Sequence, residues 1–209
     1  MTAPTREKLL DATLRVVTDQ GIAKASARTI ATEAGVNQAL VFYHFGSVDE
    51  LLAAACAHGA AQRVAEHRER LRAVTGFGGL VAAAREIHRA ERAAGNVALL
   101  GQLLAGAPSH PALVGPTRDG LDQWVVEVEA VLRRLTAATV LADAVDVPGL
   151  ARAISASFVG LGLYEGVDDA GTEQAFAALE QLAAVLALVE DLSPLERAAV
   201  RRRLRRTAR

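Results

Sequence analysis

The stretch Arg28-Thr-Ile-Ala-Thr-Glu-Ala-Gly-Val-Asn-Gln-Ala-Leu-Val-Phe-Tyr-His-Phe45 decides how this chain folds. Ser26 stands just ahead of it as a helix N-cap, predicting a short helix over Ala27 to Ala34. Gly35 breaks that helix, and Asn37 caps a second one, about Gln38 to Phe45, which Gly46-Ser47 ends. Two short helices joined by a tight turn form a helix-turn-helix unit. Ala31 is small where the helices must cross closely, and Gly35 suits a turn needing positive φ. Ile30, Ala34, Val36 and Val41 are apolar on the side that must pack against a preceding helix. Gln38, Tyr43 and His44 then face outward, on the helix that would enter a DNA major groove.

Outward from this unit the chain reads as helix throughout. Helix 1 is expected from Thr5, as N-cap, to Gly21, burying Leu10, Leu14 and Val17. A long helix should run from Val48 to about Val74, followed by helices near Leu80–Ala94 and Asn96–Ala105. The segment Gly106 to Pro116 holds Pro108, Pro111 and Pro116 and reads as loop. Beyond it, Leu121, Trp124, Val125, Val128, Val131, Leu132 and Leu135 follow the spacing of an amphipathic helix over Arg118–Ala138. Two apolar helices are expected over Pro148–Tyr164 and Thr172–Val189, and Ser193-Pro194 opens an arginine-rich one. No segment alternates as a strand would. The expected class is all-α: a three-helix head over 1–47 and a helical-bundle regulatory and dimerisation domain over 48–193. Residues 48–74 form its connecting helix, and an arginine-rich tail occupies 194–209.

Composition agrees with helices. Hydrophobic residues make up 51% but aromatics only 4%, so close packing rests on alanine and aliphatic side chains. With a single cysteine, Cys56, no internal disulfide can form. The N-terminus lacks a signal-peptide pattern, and no apolar stretch reaches about 18 uncharged residues. A soluble, cytoplasmic protein with no membrane partner is expected. The net charge of −1 conceals an uneven distribution. Residues 1–47 carry five basic and four acidic side chains, and 48–193 carry eleven and nineteen. The tail carries seven arginines and one glutamate. Within so neutral a head, Lys24 and Arg28 must carry much of any electrostatic attraction to phosphate.

Enzyme chemistry finds no constellation. His44, His58, His67, His88 and His110 show no His-Glu-x-x-His spacing, and Cys56 has no cysteine partner for a metal. Gly-x-Ser-x-Gly is absent, and Gly160-x-Gly162 lies in a helical pattern rather than after a strand. No catalytic residue, metal site or cofactor is expected.

From Ile30 to Leu51 the chain reads Ile-Ala-x-x-Ala-Gly-Val-Asn-x-x-Leu-Val-x-Tyr-His-Phe-x-Ser-x-x-Glu-Leu, with Asp49 before the glutamate. This run resembles the head of TetR-type repressors, over about the first 60 residues. The resemblance implies that Arg28 and Thr29 meet DNA backbone and that Asn37, Gln38 and Ala39 begin a recognition helix. Gln38 would read a base edge, because an amide bonds adenine bidentately. Tyr43 and His44 would reach phosphates. Phe42 replaces a tyrosine common in the family, and Gly46 and Val48 replace basic residues that grip phosphate.

One such unit reads only a few base pairs, so a homodimer on a pseudo-palindromic double-stranded operator is expected. The last two apolar helices are wide enough in their apolar arcs to be either an interface or plain core. The interface reading draws on Ile154, Phe158, Leu161, Phe176, Leu179, Leu182 and Leu186. By the same resemblance an unidentified small-molecule effector would bind in the body, with Trp124, Phe77, His88, Leu103, Leu104 and Phe158 as candidate lining residues. The expected function is a sequence-specific transcriptional regulator, a repressor released by its ligand. The alternative is a helical interaction protein that keeps the head without ligand-controlled operator binding.

Overall fold

The computed structural model describes residues 4–137, 139–142, 144–190 and 192–207. Their α-helices, in chain order, are α1 Thr5–Gln20, α2 Ala27–Ala34, α3 Ala39–Phe45, α4 Val48–Arg72 and α5 Phe77–Ala93. There follow α6 Asn96–Gly106, α7 Pro111–Ala137, α8 Val147–Tyr164, α9 Asp169–Glu190 and α10 Pro194–Thr207. Short 3-10 turns occupy Ile22–Lys24 and Ala107–Ser109. No described residue lies in a strand. The fold is the all-α class the sequence predicts.

The chain divides into two compact units, and the divisions fall inside helices α4, α5 and α7. Unit 1 comprises Met1–Glu66 and Glu91–Gln123. Leu9, Leu10, Ala12, Val16, Ala27, Ile30, Ala31, Val41, Leu51 and Ala55 make its first core, drawn from α1 to α4. A second core joins Val17, Leu52 and Cys56 to Leu103 of α6 and Leu113 of α7. Burial pushes the Cys56 thiol up to about 11, so it remains an unreactive thiol at neutral pH.

Unit 2 comprises His67–Ala90 and Trp124–Arg209. Its core joins Leu71, Val74, Phe77, Leu80, Ala83 and Ile87 to Val125, Val131, Leu132 and Leu135 of α7, and to Val147, Ala151 and Ala183. The Arg134 guanidinium donates to the Leu71 carbonyl at 3.0 Å, satisfying one of the orphan acceptors at the end of α4. Ser193 and Glu196 form a reciprocal cap on α10. The Ser193 N–H donates to the Glu196 carboxylate at 2.8 Å, and the Glu196 N–H donates to the Ser193 hydroxyl oxygen. Hydrogen bonds from the Ser193 hydroxyl and N–H hold the Glu196 carboxyl below its ordinary range. The final two tail residues and the side chains of Arg201, Arg205 and Arg206 lie outside the described residues.

Three expectations need correction. Thr5 is the first residue of α1, and Pro4 occupies the cap position without a side-chain bond. The segment 106–116 is not loop: α7 starts at Pro111 and contains Pro116. Proline suits a first helical position, where its missing N–H costs nothing, and Pro116 forfeits only the single bond to the Ala112 carbonyl. Finally, α5 begins at Phe77, ahead of the Leu80 at which a helix was expected to start. Among the described helices, α8 alone has the length and mean hydropathy (1.2) to cross a membrane, and it carries Arg152.

Candidate DNA-binding site

The site is built on α2, a sharp turn, and α3. The Ser26 hydroxyl accepts the Thr29 N–H at 3.1 Å, which fixes where α2 begins. Gly35 ends it in the left-handed region, at φ 66°, and its N–H returns to the Thr32 carbonyl at 3.1 Å. Val36 closes the turn through an N–H bond to the Ala31 carbonyl at 3.0 Å. A β-carbon at position 35 would strain this turn through φ alone, since nothing crowds it. The Asn37 side-chain oxygen then accepts the Ala39 N–H at 2.8 Å and starts α3. That bond occupies the Ala39 N–H, so it is not free to receive a phosphate.

The second helix sorts its side chains by face. Val41 is fully buried, and Leu40 and Phe45 pack partly against the same core. Gln38, Ala39, Phe42 and Tyr43 point to solvent, Tyr43 at 81% exposure. His44 is half-buried, its ring edge-on to Tyr43 with centroids 5.0 Å apart. Lys24, Arg28 and Asn37 are exposed, and Thr29 is half-buried. The eight residues singled out for DNA thus lie on or beside α2 and α3, and all but Ala39, a methyl side chain whose N–H is already bonded, present a polar or aromatic group there.

Electrostatics in this head are sparse. Arg15 is taken by Glu33 at 2.7 Å, which leaves Lys24 and Arg28 as the cations nearest the motif helices in sequence. Sequence reasoning overlooked Arg6, whose guanidinium sits 5.2 Å from the centroid of the Phe45 ring, beside the end of α3. Nothing in its spacing could reveal this, because the contact depends on how α1 packs. Both departures from the usual basic pattern have local reasons. Gly46 caps α3 at φ 77°, and Val48 packs against the two cores of unit 1.

The model for "Bacterial regulatory proteins, tetR family" matches residues 9–55. The solved structure of the multidrug binding protein EbrR complexed with proflavin is 31% identical, covering 86% of this chain and 99% of its own, with a TM-score of 0.58. The chain belongs to the tetR family. Two curated proteins resemble its head. One is the nicotine-responsive transcriptional repressor HdnoR of Paenarthrobacter nicotinovorans, 45% identical over 56 residues. The other is the transcriptional regulator BetI of Rhizobium meliloti strain 1021, 47% identical over 49 residues. These matches span 27% and 23% of this chain, and only 29% and 24% of the relatives' lengths. The tetR-family signature is therefore concentrated in the segment that forms α1 to α3 and the start of α4.

The residues expected in the body fall in separate places. Phe77, His88, Trp124 and Phe158 belong to unit 2, whereas Leu103 and Leu104 belong to unit 1. Within unit 2, His88 meets the Phe158 ring at 5.6 Å, and Trp124 meets His67 at 5.8 Å. Leu103 lies in the second core of unit 1. Of the interface set, Leu179 and Leu182 are exposed, and Ile154, Phe158, Leu161 and Leu186 are half-buried. Phe176 is corrected to core: at 1% exposure, packed on His88 and beneath Arg85, it has no surface for another subunit.

Proposed function

We propose that this tetR-family chain is a cytoplasmic, homodimeric repressor of transcription, released from its operator by a small molecule bound in the body. The observation that carries the reading is the outward face of α3, where Gln38 and Tyr43 stand exposed behind a turn fixed by Gly35. In this docking α3 lies in the major groove. Gln38 offers its amide to an adenine edge, and the exposed Phe42 ring suits a thymine methyl. Tyr43, His44, Thr29, Lys24 and Arg28 hold the backbone on either side.

Dimerisation is supported by apolar surface that unit 2 leaves uncovered. On α9, Leu179, Leu182, Val185 and Leu188 recur every three residues and all are exposed. On α8, Leu163 and Tyr164 are exposed as well. Pairing these faces about a twofold axis would bury them and place two heads on one side of a duplex. Ligand control is supported by the EbrR relative, solved with proflavin bound. The effector would favour one body conformation and so change the separation of the heads, with α4 as the lever.

The test is a mobility shift of the full chain on duplex DNA from upstream of its own gene, across a salt series. Sequence-specific binding that survives competitor DNA is expected. Its salt slope should be shallow for the family, because each phosphate contact adds about 0.9 to the slope and the head has few cations to offer. No shift on any such fragment would leave the helical interaction protein as the better reading. Gln38→Ala should flatten discrimination at one base position, at a cost of about 1–3 kcal/mol against the preferred base, while binding to random DNA stays unchanged. A selection of bound sequences from a randomised pool would read this. Equal loss on all sequences would make Gln38 a backbone contact.

A further inference from the structure

Unit 2 buries a histidine that the DNA-binding reading does not use. His88, on α5, is 2% exposed. Its Nε2 lies 2.9 Å from a carboxylate oxygen of Glu165, itself buried just past the end of α8. Its ring is edge-on to Phe158, at 5.6 Å and 85°, and tilted against Phe176 at 5.3 Å. A carboxylate can only accept, so in the neutral imidazole Nε2 carries the hydrogen and Nδ1 presents a bare lone pair. That Nδ1 is buried with no partner. So is the hydroxyl of Ser155, which lies one turn before Phe158 on α8 and shares its face. Unsatisfied groups of this kind are uncommon in folded interiors and ask for an explanation.

We propose that His88 Nδ1 and the Ser155 hydroxyl are the polar recognition points of the effector, and that the effector is a planar apolar molecule carrying an N–H or O–H donor. This rests on the ligand-responsive reading above and narrows it to a chemical class. The donor satisfies Nδ1, Ser155 accepts or donates to a second polar atom, and the Phe158 and Phe176 rings supply the apolar contact. An aromatic amine, amide or phenol meets these demands. A carboxylate does not: it brings lone pairs to a nitrogen that needs a hydrogen, and the nearby Arg85 guanidinium, over the Phe176 ring, is already paired with Glu173 and Glu180.

The full chain is titrated, without DNA, with proflavin, a planar fluorescent diamine, and with the anionic dye anilinonaphthalene sulfonate. Proflavin polarisation is expected to saturate, and His88→Phe to weaken it at least tenfold while the anionic dye is unaffected. Ser155→Ala removes only an unpaired hydroxyl, so it should fold and melt as the parent does and weaken proflavin about threefold or more. It keeps the test open if His88→Phe misfolds. Proflavin binding unchanged in both variants, or no saturable proflavin binding by the parent, overturns the proposal. So does tighter binding of the anionic dye that His88→Phe abolishes, which would mean that the imidazole presents a hydrogen instead. Operator binding of the same proteins without dye separates the two readings. Its absence in the parent removes the regulator, and its presence with unchanged dye binding removes only this site.

Discussion

Replacing Tyr43 and His44 together by alanine is expected to abolish operator binding while leaving the chain folded and the proposed dimer intact. Tyr43 is 81% exposed and neither ring belongs to a buried cluster of unit 1, so the core of the head loses nothing. His44 touches Tyr43 and Phe45 only edge-on, at 5.0 and 6.3 Å. Alanine is the best helix former, so α3 should persist. In the proposed docking, what disappears are two backbone contacts per head, four in the proposed dimer, in a head with few cations to compensate. A loss on the order of a thousandfold or more in affinity at physiological salt follows, at about 1–1.5 kcal/mol per hydrogen bond. Mobility shift would read the loss, and sedimentation with circular dichroism would check for unchanged assembly and helix content. A double variant that shifts DNA as the parent does would show that α3 is docked on DNA in some other way.

Most of the head was legible because its punctuation is local. Ser26, Gly35, Asn37 and Gly46 each act through their own backbone within three or four residues, and each ends or starts the helix it was assigned. Arg6 beside Phe45 was not legible, since 39 positions separate them and only the packing of α1 brings them together. The body shows the same limit more strongly. Periodicity identifies which face of a helix is buried but not against what. Leu103 and Phe158, grouped as lining residues by the resemblance, fall in different units. Phe176 was assigned to an interface from a wide apolar arc and the resemblance, yet its ring packs against His88 and beneath Arg85. The His88–Glu165 contact joins residues 77 positions apart and leaves no trace in sequence spacing. Prolines misled through overweighting: Pro111 is a helix-starting residue where three prolines together read as a loop.

Ile30→Ala is expected to destabilise unit 1 by about 3 kcal/mol, within the 2–5 kcal/mol typical of such truncations. Ile30 is fully enclosed, among Leu9, Leu10, Val16, Ala27 and Val41, at the place where α1, α2 and α3 meet. Removing three carbon atoms there forfeits their transfer energy and leaves a void that two short helices, each anchored by one glycine turn, cannot close without tilting. The damage should therefore be local. Hydrogen exchange would show amides of α2 and α3 losing protection while those of α8 and α9, with a core of their own in unit 2, keep theirs. DNA binding should weaken too, because Val41 seats α3 on the same cluster and its tilt sets where Gln38 and Tyr43 point. Ile30→Val, which removes one methyl group, should cost about 1 kcal/mol and leave binding intact. If alanine costs no more than valine, the three helices are not held by this cluster. The outward face of α3 would then owe its position to the turn at Gly35 alone.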